Sequence, residues 1–169
     1  MPVELIRNPL RAFRIIGENV YSTVVEEDVN VPDINPDLYK VLASTARVTI
    51  KNCEVMTDKV MVNGVATVSI LYSADVEGKP LSSMEVPLEF SQGIEIPGAM
   101  PRMKEQVNVV VQNVDSSIIN SRKLNIRIIM DIHCRVEDLF DLNTASDVRG
   151  LSDIQLLREP FQMKQLAGA

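Results

Sequence analysis

The sequence predicts a mainly β fold, an antiparallel β-sandwich or strongly bent sheet of about eight to ten strands with one short helix near residues 36–44. Three observations carry this. From Leu124 the apolar residues Leu124, Ile126, Ile128, Met130, Ile132, Cys134 and Val136 recur at every second position. Asn125, Arg127, Asp131, His133 and Arg135 stand between them, and Ile129 is the one exception. That alternation belongs to a strand buried on one face. A second row runs through Val60, Val62, Gly64, Ala66, Val68, Ile70 and Tyr72. Between such rows lie clusters of Pro, Gly, Asn, Asp and Ser, which supply turns. A sheet with one dry face needs a second layer, so the rows are expected to cover one another.

Taken in order, residues 3–17 read as an extended segment interrupted at Pro9, because proline cannot donate to a ladder and is confined to edges and bends. In Val20 to Val31, Tyr21, Thr23, Val25, Val29 and Val31 share one parity, which gives a strand. Glu26, Glu27 and Asp28 are consecutive carboxylates, but neighbouring strand residues point to opposite faces, so a solvated face is expected rather than a cation site. Pro32-Asp33-Ile34-Asn35-Pro36-Asp37 follows. Asn35 suits an N-cap, Pro36 the first helical position and Asp37 the positive end of a helix dipole. Leu38, Val41 and Leu42 then fall at i, i+3 and i+4, one apolar side for a short helical lid.

Arg47 to Val55 resumes the strand pattern, with a change of apolar parity from Val48 and Ile50 to Cys53 and Val55. A β-bulge near Lys51 or Asn52 explains the switch. Thr57-Asp58-Lys59 is a tight turn. In the following strand Gly64 and Ala66 leave room for something bulky opposite, such as the helix. Asp75 to Pro80 reads as a hairpin loop, and Met84, Val86, Leu88 and Phe90 as the next inward row, with Pro87 marking an edge strand. Gln92 to Arg102, with its glycines and prolines, is a crossing loop plugged by Ile94 and Ile96. Val107, Val109 and Val111 open a long hairpin that turns within Asp115 to Arg122. Glu137 to Asp153 is polar and acidic and reads as a linker with at most one helical turn, before a last extended segment from Ile154 to Leu166.

The last segment repeats the first. Leu5-Ile6-Arg7-Asn8-Pro9-Leu10 aligns with Leu156-Leu157-Arg158-Glu159-Pro160-Phe161, and the same offset of 151 sets Gly17 on Gly168. Two strands that both contain proline can share four identities in thirteen positions by chance. If the match is a repeat, residues 153–169 are the opening strand of a following copy, and such a strand either pairs within its own domain or completes another chain's sheet.

The bulk properties exclude several classes of function. A chain of 169 residues that is 46% hydrophobic can hide roughly 70% of its unfolded surface, enough for one cored domain. Net charge is −6 and the basic residues are scattered, so neither nucleic acid nor an anionic membrane surface is an expected partner. No apolar run reaches the roughly 20 residues of a membrane span, and the N-terminus does not read as a signal peptide, so a cytoplasmic origin is expected. Cys53 and Cys134 read as two buried thiols or, if their Cα atoms come within about 7 Å, as a disulfide.

Catalytic chemistry is thinly supplied. His133 is the single histidine, and Cys134 points to the opposite face of the same strand, so the two cannot form a nucleophile and base pair. Asp131 and His133 share a face two residues apart, a hint of a metal or proton-transfer pair set against the reading as a solvated sheet face. No zinc-ligand set, no Gly-rich phosphate loop and no tryptophan is present. The chain is accordingly expected not to be an enzyme and to need no metal or cofactor.

The order Pro32-Asp33-Ile34-Asn35-Pro36-Asp37, then Gly64 through Ile70-Leu71-Tyr72, then Leu88-Glu89-Phe90-Ser91 with Ile94-Glu95-Ile96-Pro97-Gly98-Ala99, then Asn120-Ser121-Arg122-Lys123-Leu124-Asn125 resembles the SPOCS domain of SipL-like spore-coat assembly proteins. The resemblance covers about Val20 to Val136. It implies a SPOCS-like β domain over 1–152, with its core in 20–136, and a non-catalytic scaffold in the mother-cell cytoplasm at the forespore surface. The implied partners are other spore-coat or morphogenetic proteins, with self-association by strand addition, and the family supplies no catalytic residues. No LysM domain is recognisable in this sequence, so the contact that SipL-like proteins tie to that domain is carried to no residue here. Contacts are expected at chain ends and at the edge strand, on Leu5, Pro9, Ile154, Leu156, Pro160, Phe161 and Pro87, where unpaired backbone is available. The alternative from another class is a glycan-binding module of the spore envelope, against which the scarcity of aromatics counts.

Overall fold

A computed structural model describes residues 4–150, together with Leu157, Glu159 and Pro160. The described residues form six strands: β1 (Glu4–Asn30), β2 (Leu38–Met56), β3 (Lys59–Ala74), β4 (Leu81–Glu95), β5 (Lys104–Asn120) and β6 (Lys123–Arg149). They make two three-stranded sheets, in the orders β1-β6-β5 and β2-β3-β4. The mainly β antiparallel architecture is as expected from the alternation. The strands are fewer and longer than the expected eight to ten, because bulges carry them through positions where the pattern breaks. β1 runs unbroken through Pro9 and joins the two segments expected separately.

The short helix is absent. Residues 32–37 form turns and bends, and the chain enters β2 at Leu38. The register between β2 and β3 shifts between Leu38 and Lys40 and again between Val41 and Ala43. Each shift inserts an extra residue, so inward positions fall three apart at Leu38 and Val41, while Tyr39 and Leu42 are 51% and 47% exposed. Two bulges in a strand thus imitate helical spacing. The expected bulge near Lys51 lies between Ile50 and Asn52.

The contacts divide the chain into two units. In the first, residues 15–137, the inward rows of β3 and β4 face those of β6. Val60, Val62, Ala66, Val68, Ile70 and Tyr72 are fully buried, as are Leu124, Ile126, Ile128, Met130, Ile132 and Val136. Each Val, Leu, Ile or Met side chain among them contributes about 1.5–3 kcal/mol of transfer free energy. The space at Gly64 is taken by Phe90 from the neighbouring strand, directly opposite it in the ladder, rather than by a helix. Ile94 and Ile96 are buried as the plugs expected of the crossing segment, although β4 continues as far as Glu95. β4 is an edge strand, the place where Pro87 costs the ladder least.

The margins of the two sheets also meet. Ser44 Oγ on β2 donates to Ser116 Oγ on β5 at 2.9 Å. Asn19 Nδ2 on β1 donates to the Glu95 carbonyl of β4 at 2.9 Å.

The second unit, described by itself, pairs residues 4–14 of β1 with residues 138–149 of β6. This replaces the polar linker expected over Glu137 to Asp153, since β6 continues to Arg149. Side-chain contacts run in opposite directions along the two segments: Arg14 meets Asp138, Arg11 meets Asp141, and Thr144 and Ser146 meet the backbone at Asn8 and Ile6. The pairing is therefore antiparallel.

Candidate functional site

Of the motifs that carry the SPOCS resemblance, Gly64 to Tyr72 and Leu88 to Ser91 lie in β3 and β4, and the others meet at turns, where they act as locks. Arg122, in the turn between β5 and β6, lays its guanidinium on the Pro32 to Asp37 loop. Nη1 donates to the Asn35 carbonyl at 2.8 Å and to Asp37 Oδ1 at 3.1 Å. Nη2 donates to the Val31 carbonyl at 3.2 Å and to Asp33 Oδ1 at 3.1 Å. Backbone bonds reinforce the join, from Val31 N to the Arg122 carbonyl and from Leu38 N to the Ser121 carbonyl, both 2.8 Å. Tyr72 Oη donates to the Pro36 carbonyl at 3.1 Å from the far end of the β3 row. A planar fork with several donors suits such a task, because it can satisfy carbonyls and carboxylates of one loop at once.

The Ile94 to Ala99 motif makes a second lock. Gly98 N donates to Asp58 Oδ1 at 2.8 Å, Asp58 N to the Ala99 carbonyl and Ile96 N to the Asp58 carbonyl, both 2.9 Å. Asp58 holds φ at 59°, a left-handed turn conformation that aspartate tolerates.

A groove of about 530 Å³ lies on β1, β5 and β6, lined by Glu18, Asn19, Val20, Gln106, Asn108, His133 and Arg135 among others. His133 is exposed on the wet face of β6, opposite Asn108 in the ladder. Arg135 Nε lies 2.7 Å from Glu18 Oε1 without lining up for a hydrogen bond, and 3.5 Å from Glu137 Oε1. Asp131, the candidate partner of His133, is engaged elsewhere. It accepts hydrogen bonds from Ser22 Oγ at 2.5 Å and Gln112 Nε2 at 2.7 Å. Those two bonds, and then the His133 ring, hold its carboxyl below the usual carboxylate value. A carboxylate fastened this way is a poor proton acceptor. Among the described residues, no group of three or more His, Cys, Asp or Glu is gathered as metal ligands would be.

Cys53 and Cys134 are free thiols in one apolar cluster. Burial, with smaller contributions from Cys53 and Glu105, pushes the Cys134 thiol up to about 11. Burial raises Cys53 as well. Neither is an activated nucleophile.

Of the residues expected to make contacts, Leu5 is 50% exposed on β1, and Pro9 and Pro160 are exposed. Pro87 is exposed on β4. Ile154, Leu156 and Phe161 lie outside the described residues. The second unit brings Leu5, Leu10 and Leu139 to the surface at 50%, 38% and 48% exposure. Of residues 4–14, Ala12 alone is buried. The segment 138–149 is paired with β1, while its ladder with β5 stops at Lys104 opposite Glu137, so among the described residues one edge of this stretch carries no strand. Sequence reasoning singled out Arg122 only as part of a motif and missed what it holds, and it missed the acidic partners Asp138 and Asp141. The available signal was three arginines, Arg7, Arg11 and Arg14, spaced along one strand and an aspartate series in the supposed linker.

Residues 37–119 match the family model described as SipL, SPOCS domain. Neither a curated protein nor a solved structure matches the chain. The matched stretch starts at Asp37, which Arg122 holds, and takes in the Gly64 to Tyr72 and Leu88 to Ala99 motifs. The other two motifs, 32–37 and 120–125, flank it and close on each other through Arg122. Over residues 37–119 the chain is therefore similar to the SPOCS domain of the SipL family, a sporulation-related family.

Proposed function

We propose that the chain is a non-catalytic assembly module of the endospore coat, joining other coat or morphogenetic proteins at the forespore surface on the mother-cell side. One observation supports this reading above the rest. The ribbon of residues 4–14 and 138–149 exposes Leu5, Leu10 and Leu139 and leaves a length of β6 edge without a neighbouring strand among the described residues. Unpaired strand edges with apolar side chains are what a neighbouring chain uses to extend a sheet. The motifs of the resemblance at 32–37, 94–99 and 120–125 hold turns and those at 64–72 and 88–91 build the core strands β3 and β4, which leaves binding to the margins.

A fluorescent fusion of the chain in a sporulating cell tests the reading. The fusion is expected to gather at the forespore surface, and a Leu5→Lys, Leu10→Lys fusion to disperse. A wild-type fusion spread evenly through the mother cell would reject it. The second reading, a glycan-binding module, rests on the groove with its amides Asn19, Gln106 and Asn108 beside His133. Retention on spore-envelope polysaccharide, lost in Asn108→Ala, would favour it.

A further inference from the structure

What holds residues 4–14 on β6 is largely indifferent to their sequence. Thr144 Oγ1 donates to the Asn8 carbonyl at 3.3 Å and Ser146 Oγ to the Ile6 carbonyl at 3.2 Å, acceptors that any strand presents. The side-chain part of the grip includes Arg11 Nε to Asp141 Oδ1 at 3.3 Å and Arg14 Nη2 to Asp138 Oδ2 at 3.0 Å. The Arg14 guanidinium also lies 5.7 Å from the Phe140 ring centroid. The arginine side chains are 77% and 61% exposed, and ion pairs of that kind hold weakly and fade with salt. Little apolar surface ties the resident strand down, since Ala12 alone of these residues is buried.

The sequence contains a second segment with the same pattern. At the offset of 151, Leu156, Leu157, Arg158 and Pro160 stand for Leu5, Ile6, Arg7 and Pro9, and Phe161 stands for Leu10. Gln162 and Gln165 stand for Arg11 and Arg14, and their amides can still donate to Asp141 and Asp138 without a charge. The charges also match. The accepting stretch carries Asp138, Asp141 and Asp147 against Arg149, and the segment carries Arg158 and Lys164 against Glu159.

We propose that residues 138–149 of β6 accept a strand from either of two sources: residues 4–14 of the same copy, or residues 154–166 of a second copy of this chain. The inference rests on the assembly reading and names its partner as the chain itself. Donor segment and acceptor strand are different surfaces, so each exchange leaves another donor and another acceptor exposed, and the contact propagates head to tail without closing on itself.

Two full-length variants, one Ser146→Cys and the other Leu157→Cys, are mixed under mild oxidation with glutathione disulfide and the cross-links mapped by mass spectrometry. A disulfide joining the two substituted positions between copies is expected, at least tenfold more abundant than dimer from either variant alone. Adding Arg11→Gln and Arg14→Gln to the accepting copy weakens the resident strand and is expected to raise the yield severalfold. No link between positions 146 and 157, with light scattering still showing oligomers of the wild-type chain, would overturn the exchange and leave the assembly reading standing. No link, together with a wild-type fusion that fails to gather at the forespore, would overturn both.

Discussion

Arg122 shows how much one side chain can hold when its donors are spent on backbone. Its contacts with the Val31 and Asn35 carbonyls and with Asp33 and Asp37 fix the turn by which β1 passes to β2. Arg122→Lys keeps the charge but not the fork, and is expected to cost about 1–2 kcal/mol in urea unfolding, with Arg122→Ala costing somewhat more. Acid sensitivity belongs to this scale too. The carboxyls of Asp131, held by Ser22 and Gln112, and of Asp28, held by Asn125 and Lys123, titrate below their ordinary 3.8 in the folded state. A depressed folded value stabilises the native state above the unfolded value, and the benefit disappears as pH falls through the lower one. Asp131→Asn is therefore expected to lower the urea midpoint at pH 7, and the gap to wild type should narrow when the titration is repeated at pH 3. A gap unchanged with pH would assign the effect to lost hydrogen-bond geometry alone.

At the scale of elements, the β3–β4 ladder is built around one missing side chain. A Cβ on Gly64 would lie 2.6 and 2.7 Å from Phe90 ring carbons and 2.8 Å from the Thr49 carbonyl oxygen. Gly64→Ala is expected to cost about 1–3 kcal/mol by overpacking. Phe90→Leu should recover part of that in the double variant, because the ring can be relieved and the backbone oxygen cannot. This ladder was legible in the sequence, since burial on one face writes itself as alternation: the β3 row, the β4 row and the bulge at Lys51 all follow from parity. The start of β2 was not. Its two bulges place Leu38 and Val41 three apart, and an apolar spacing of three is the same on paper whether a strand bulges or a helix turns. Residues 138–149 were invisible for a different reason. A ribbon held by Asp138, Asp141, Thr144 and Ser146 buries no side chain fully, and its half-buried positions, Asp138, Phe140, Leu142 and Thr144, mix polar with apolar residues while Leu139 faces out, so the sequence shows no clean alternation. The motifs of the resemblance were legible as motifs. That Arg122 closes one upon another required the chain to be folded.

For the molecule as a whole, the buried apolar residues all lie within residues 15–137, with Ala12 the exception among those described. A fragment spanning 15–137 is expected to keep its β-sheet circular dichroism and to melt within about 5 °C of the full chain, while losing any self-association. A fragment that fails to fold would show that the 4–14 and 138–149 pairing is needed for the core. The order of the strands has a further effect while the chain is being made. β2, β3 and β4 are neighbours in sequence and in their sheet, so they can pair as they leave the ribosome. Of the six described strands β1 is made first and its partner β6 last: 97 positions separate Asp28 from Asn125, whose side chains meet when the two strands come together. At about 5–20 residues per second, β1 waits roughly 5–20 s for that partner. During that interval Ile15, Val20 and Val24 have no native partner strand. Among the six strands, the nascent protein therefore has its longest exposure to chaperones, and to mispairing with its neighbours on a polysome, through β1.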